Sequence, residues 1–383
     1  MRLALTRAAS NEGVAVSGIE EQTDTRSTGT ASIDMSSGLP DERDFMVAEC
    51  PDIPMWSENF LFALCDRNAD VAMWLHLGTV PGKWTMWEDR VLVMLPGHDG
   101  ALSLRGYHHT APERRPAGPG LEFRQITPWR RWHVSFDGFG LHTPESEMLA
   151  GVSRDGAGKP FSADLDIELL TPAWDARTAA SLESGAGDMD SHDWANEHYE
   201  QLVRATGTVT LPSGDAVPFS GYGWRDHSRG ARDQSLLRDW GGHVIIGCPY
   251  PSGRGWGLSR YHASDGRITL EGGYVFVDGK FEHARVVEAP RLKELQFGGE
   301  TLPVALEWSG GVLELELQCE RALWTSMQRS LTVGKDLDGL GLMYVINHGR
   351  CDWDGETGYF YCERSDRLND LAPEPYYGES SNQ

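Results

Sequence analysis

Strict alternation marks the chain in several places. Ala163, Leu165, Ile167 and Leu169 are apolar, with Asp164, Asp166 and Glu168 between them. Leu313, Leu315, Leu317 and Cys319 alternate in the same way with Glu314, Glu316, Gln318 and Glu320. A period of two, with one apolar face and one carboxylate face, predicts strands half buried in a sheet. Val71–Leu77 alternates apolar residues with others that include His76, and Val91–Leu95 is a short continuous apolar run. Gly97–Gly100 reads as a turn, and Ala101–Gly106 resumes as a strand. Ile268–Glu271, Gly272-Gly273, Tyr274–Val277 and Asp278-Gly279 read as consecutive hairpins, since Asp-Gly accepts the positive φ of a tight turn. One segment breaks the pattern. In Asp193–Arg204, Trp194, His198 and Leu202 recur at i, i+4 and i+8 behind Asp193, which predicts a helix with an aspartate N-cap.

These elements group into two halves. Residues 1–44 are rich in Ser, Thr, Gly and acidic residues without a sustained period, and read as a disordered tail. The acidic, Gly- and Ser-rich stretch 181–191 reads as a linker between an N-terminal half, 45–180, and a C-terminal half, 192–370, and 371–383 as a second tail. The 44 glycines and 20 prolines amount to about 17% of the 383 residues, above the usual ~12%, and there are 14 tryptophans. Frequent breakers and many aromatics favour short strands and turns, so the fold class expected is all-β with few short helices.

Composition excludes several roles. Lys and Arg total 34 against 57 Asp and Glu, a net charge of −23. Nucleic acid and anionic membranes call for a basic face, so neither is an expected partner. No apolar run approaches the roughly 20 residues of a membrane span, and the start lacks a secretory apolar stretch, so a cytoplasmic protein is expected. The six cysteines show no CxxC spacing, which argues against a disulfide scaffold and against structural zinc. His98, His108 and His109 have no carboxylate at a compact spacing, so no metal is expected. Walker, dinucleotide and nucleophile-elbow patterns are absent, so no cofactor is expected either.

The segment richest in chemistry is 221–233. It packs Trp224, Arg225, Asp226, His227 and Arg229 between Gly223 and Gly230. His227 with Asp226 would suit a general acid/base imidazole and its orienting carboxylate. The same residues would serve a structural Arg–Asp pair with His227 satisfied in the core. In an extended strand Trp224 and Asp226 face one way, Arg225 and His227 the other, so both catalytic candidates reach one pocket only if a bulge forms. A second segment, Trp256–Gly266, offers Tyr261 on one face and Arg260 and His262 on the other, or else a plain strand running into an Asp-Gly turn.

Trp224-Arg-Asp226-His227-Ser-Arg-Gly230 resembles the W-x-D-H-x-W-G element of the carotenoid 1,2-hydratase (hydroxyneurosporene synthase) and AttH-like group. It is closer to bacterial relatives that carry GxGxRDHSWGxRD. Trp56–Phe60, Leu75–Gly78, Leu95-Pro96, His198–Gln201, Gly355–Tyr359 and Glu363 extend the resemblance patchily over about 50–365. It implies two lipocalin-like antiparallel β-barrels in one chain, with an apolar cavity. It implies cofactor-independent addition of water to an alkene, with His227, Asp226 and Tyr261 as catalytic residues. Trp224, Arg225, Arg229, Trp256 and His262 would bind substrate. The chain has Arg229 where the group has its second Trp. A buried lone charge is costly, so Arg229 should meet Asp226 or Asp233, or an oxygen of the ligand.

The expected function is therefore that of a hydratase, dehydratase or double-bond isomerase acting on a hydrophobic, oxygenated small molecule such as a terpenoid, steroid or aromatic. Trp and Tyr faces stabilise developing cations by ~0.5–2 kcal/mol each. Two other readings stay open: a carrier that only encloses such a ligand, and a scaffold that uses exposed aromatics. Neither the substrate nor the oligomeric state is legible here.

Overall fold

The structure is a computed structural model that describes residues 33–150, 157–189, 195–232, 240–326 and 342–367. Strands dominate it. In chain order they are β1 (Trp56–Asp66), β2 (Val71–Val80), β3 (Lys83–Met94), β4 (Ala101–His109), β5 (Leu121–Thr127), β6 (Arg131–Thr143), β7 (Gly158–Leu169), β8 (Trp174–Asp175), β9 (Ala186–Gly187) and β10 (Glu197–Thr210). There follow β11 (Ala216–Ala231), β12 (Trp240–Pro249), β13 (Gly255–Ala263), β14 (Ile268–Val277), β15 (Lys280–Glu288), β16 (Thr301–Trp308), β17 (Gly311–Ser326), β18 (Leu342–Trp353) and β19 (Glu356–Arg367). The two α-helices, α1 (Glu145–Ala150) and α2 (Ala176–Ser181), are short.

The strands form two antiparallel sheets. The second runs β13-β12-β19-β18-β17-β16-β15-β14, and β13 pairs with β14, so eight strands close into a barrel. The first runs β11-β1-β2-β3-β4-β6-β7-β10, with β10 returning to β11; its thinnest seam is the three-residue pairing of β4 with β6. The all-β, two-barrel expectation therefore holds. The strands read from alternation at 71–77, 163–169 and 313–320 are β2, β7 and part of β17.

Two local expectations are corrected. The helix over 193–204 is instead the start of β10. Positions 198 and 202 are four apart, and a spacing of four satisfies a strand's period of two as well as a helix's 3.6. Tyr199, Val203 and Ala205 fill the first barrel while Leu202 packs on the opposite face, so both faces are buried and the alternation is masked. Residues 193 and 194 lie outside the described part. Gly272-Gly273 is not a turn but the middle of β14. A Cβ on Gly272 would come within 3.0 Å of Trp174, and one on Gly273 within 3.0 Å of Leu306, so the glycines admit neighbours. The turn at Asp278-Gly279 is real, with φ of 52° and 74°.

The boundaries also move. β10 and β11 close the first sheet, so the strands at 197–231 belong with the N-terminal half, and the second sheet takes its main strands from Trp240 onward. Within the stretch expected to be a tail, Met35 packs into the first core and Asp44 is fully buried. Asp44 Oδ1 lies 2.5 Å from Arg225 Nη2, and its Oδ2 accepts from Gln125 Nε2 at 2.6 Å and from the Trp129 backbone at 2.7 Å. Residues 1–32 and 368–383, which hold most of the expected tails, lie outside the described part.

A third core joins the barrels. Leu61, Trp74, Leu202 and Trp224 from the first pack against Ile245, Tyr344, Ile346 and Tyr361 from the second. Trp224 stacks on Tyr361 with centroids 5.3 Å apart. Gly247 makes this approach possible, because a Cβ there would lie 2.7 Å from Trp224 and 2.8 Å from Leu202. No helix among the described residues is long and apolar enough to cross a membrane.

Removing one partner of the buried Asp44–Arg225 pair strands a charge, which costs about 3–5 kcal/mol. Asp44→Ala should therefore lower the midpoint of urea unfolding sharply, while Asp41→Ala, at the exposed end of the same turn, should not move it.

Candidate functional site

A cavity of about 260 Å³ lies in the seam between the barrels. Its walls are the outward faces of β1, β2, β10 and β11 and of β12, β13, β18 and β19. Trp74, Trp240, Tyr261 and Tyr344 give it aromatic walls, and His76, His198, Asp226, His243 and Glu363 give it ionisable groups. Glu88, Arg90, Arg105 and Arg232 sit at its polar end.

β11 divides the 221–233 segment by strict alternation. Its pairing with β1 and β10 runs without a register shift, so no bulge lets Asp226 and His227 share a pocket. Asp226 and Ser228 line the cavity. Trp224, on the same face, lies deeper in the seam, where its indole N–H donates to Glu200 Oε2 at 3.2 Å. Arg225, His227 and Arg229 point into the first barrel. His227 is fully buried, stacks on Phe60 at 4.1 Å and meets Glu58 Oε1 through Nε2 at 2.9 Å. Burial, then Arg225 and Arg229, hold its pKa well below the ordinary histidine value. It does not line the cavity.

The other expected residues divide in the same way. Arg229 pairs internally, though with Glu197 at 2.6 Å and Glu58 at 3.5 Å, not with Asp226; Asp233 lies outside the described residues. Arg225 is held by Asp44 and by Gln201 at 2.9 Å, with its guanidinium 5.0 Å from the ring centre of Trp132. Trp256 is buried inside the second barrel, its indole N–H 3.3 Å from the Tyr250 hydroxyl. His262 lies 3.7 Å from Asp366 and is not a wall of the cavity. Tyr261 is one, stacked on His243 at 5.4 Å. Of the eight residues singled out, the structure brings Asp226 and Tyr261 to one cavity.

The residue missed is His198. Its Nε2 lies 3.1 Å from Asp226 Oδ1 and 3.3 Å from Glu200 Oε1. These are close charge contacts and not aligned hydrogen bonds. Burial alone would lower its pKa, but Asp226 and then Glu200 outweigh burial and raise it to about 9. Burial also opposes ionisation of Asp226, yet His198 and Arg232 keep its carboxyl below the usual aspartate value. Glu200, behind the ring and bonded by Ser259 at 2.5 Å, is pushed up to about 7 by burial. His198 is thus an imidazolium facing an aromatic cavity, with Asp226 as its counter-ion. The available signal was the alternation of His198 and Glu200, which a helical reading hides.

His76, stacked on Trp74 at 5.3 Å, is the opposite case: burial and then Arg90 lower its pKa to about 3, so it stays neutral. Among the described residues no group of three or more His, Cys, Asp and Glu side chains is arranged to hold a metal ion.

Fold and site together define a double β-barrel protein with a cavity of aromatic and ionisable side chains in its seam. The chain belongs to the family described as a domain of unknown function (DUF7064), which matches residues 44–367. No curated protein matches it. Among solved structures it is similar to a candidate AttH from Nitrosomonas europaea, at 11% identity and a TM-score of 0.48, over 82% of this chain and 92% of that one. It is also similar to kievitone hydratase from Nectria haematococca, at 10% identity and a TM-score of 0.47, over 88% and 95%.

The raised His198 value sets a sign. Its stabilising pairing is complete below the ordinary histidine pKa of 6.5 and is lost as pH rises through about 9. Proton–nitrogen NMR should show one imidazole titrating near there. Asp226→Asn should move that titration downward; an unmoved titration would show that Asp226 is not the counter-ion.

Proposed function

We propose that this protein is an acid/base enzyme of the hydratase, dehydratase or double-bond isomerase type. Its substrate is a compact, hydrophobic, oxygenated small molecule bound in the seam cavity. The observation that carries this reading is His198, a buried imidazolium clamped by Asp226 and facing Trp and Tyr walls. A cationic imidazole can deliver a proton to an alkene carbon or to a departing hydroxyl, and aromatic faces stabilise the cation that develops. A carrier needs an apolar lumen with one or two orienting groups. Here two Arg–Glu contacts, three histidines and two further carboxylates converge instead, which favours chemistry over carriage.

The cavity volume narrows the substrate. About 260 Å³ is at or below the ~300–1,000 Å³ of typical small-molecule sites. A molecule of terpene-alcohol or phenol size fits, and a long polyene does not. The polar end around Arg90 and Tyr107 suits an oxygen on the ligand. This also relocates the source of polarity: it comes from β3 and β4, while Arg229 faces away.

The test uses the full chain and terpene alcohols and hydroxystyrenes as probes, in deuterium oxide. Turnover with deuterium placed on carbon is expected for at least one class. His198→Gln should reduce it about 10²–10⁴-fold, the usual worth of a positioned acid or base. His227→Gln should mainly lower stability. Saturable binding without exchange or turnover would replace this reading by the carrier. A His227→Gln enzyme that folds normally and is inactive would return the catalytic role to His227.

A further inference from the structure

The cavity has a second ionisable corner, on the other barrel. His243 of β12 and Glu363 of β19 both line it. His243 Nε2 lies 3.0 Å from Glu363 Oε1, and its Nδ1 lies 2.7 Å from the hydroxyl of Ser365.

The hydrogen bonds around Ser365 fix which nitrogen carries the proton. Its oxygen already accepts from the backbone N–H of His243 at 3.2 Å and from the indole N–H of Trp240 at 3.5 Å. A hydroxyl has two lone pairs and one proton, so its proton is what remains for the ring. Ser365 therefore donates to Nδ1. That nitrogen is bare, and a neutral imidazole with a bare Nδ1 carries its hydrogen on Nε2, aimed at Glu363. The Tyr361 hydroxyl accepts from Trp74 Nε1 at 3.1 Å and donates to Glu363 Oε2. Each oxygen of Glu363 thus meets a donor, Oε1 the imidazole of His243 and Oε2 the hydroxyl of Tyr361.

Tyr261 lies between the two corners. It stacks on His243, and its hydroxyl pKa is raised by burial and then by Glu200, Asp226 and Glu363.

Resting on the reading that this cavity moves protons, we propose that Glu363 is its proton acceptor and that Ser365 is a positioning residue fixing the His243 tautomer. In hydration the His198 imidazolium gives its proton to one alkene carbon, and the π pair becomes the new C–H bond. Water oxygen bonds to the other carbon while Glu363 takes the proton that water loses. Transfer of that proton through solvent to neutral His198 restores both groups, so nothing is oxidised or reduced. In dehydration the same steps run backward.

The first test needs no substrate. In nitrogen-15 histidine-labelled full chain at neutral pH, the His243 resonance, assigned by its loss in His243→Gln, should show a neutral ring protonated at Nε2. Ser365→Ala should convert it to a mixture of tautomers, and Ser365→Thr should restore it. A wild-type ring protonated at Nδ1, or a cationic one, overturns the assignment even if no variant folds. With whichever probe turns over, Glu363→Gln should cut kcat about 10²–10⁴-fold with little change in KM. An unchanged kcat overturns the role of Glu363. Failure of the parent reading looks different: His198 would appear neutral in the same spectrum, or no probe would turn over, which removes the acceptor role and leaves the tautomer result to decide Ser365.

Discussion

A strand buried on both faces has no solvent side on which to leave its charges. β11 is such a strand from Gly223 to Gly230, between the inside of the first barrel and the seam with the second. Every polar group it carries must find a partner in one dry environment or the other, and the period of two decides which. Arg225, His227 and Arg229 go inward, where Asp44, Glu58 and Glu197 meet them. Asp226 and Ser228 go outward to the cavity. The inward set ties the 34–44 segment and β1 to the barrel, and the outward set supplies the counter-ion of His198. One short stretch thus serves the first barrel on one face and the cavity on the other, divided residue by residue.

That division explains what the sequence could reveal. Strands with one wet face, such as 163–169 and 313–320, announce themselves by carboxylates at every second place. β10 does not, because His198 and Glu200 are buried like Tyr199 between them. Its spacing of four then suits a helix equally well. The 221–233 segment stood out by composition, and of the residues singled out Asp226 and Tyr261 line the cavity. His227 lies on the inward face because the bulge that would have turned it to the side of Asp226 does not form. His198, His243 and Glu363 come from strands far apart in sequence, and only the pairing of β10 with β11 and of β12 with β19 assembles them.

The placement of the cavity also separates two demands that often conflict. Each barrel keeps its own apolar interior, so neither core needs an empty lumen to accommodate a ligand. The polar groups of the cavity are gathered at the seam, where histidine and carboxylate partners from both barrels, and Arg–Glu pairs at one end, balance them.

The close fit at Gly247 has a mechanical corollary. Trp224 and Leu202 rest against a residue that has no side chain, so the two barrels meet there at close range. Proton transfer depends steeply on separation, since misplacement of about 1 Å can cost 10²-fold in rate. The seam therefore acts as a ruler between chemical groups mounted on different barrels. Padding it by a single methyl group would leave each barrel intact and change the gauge of the whole cavity.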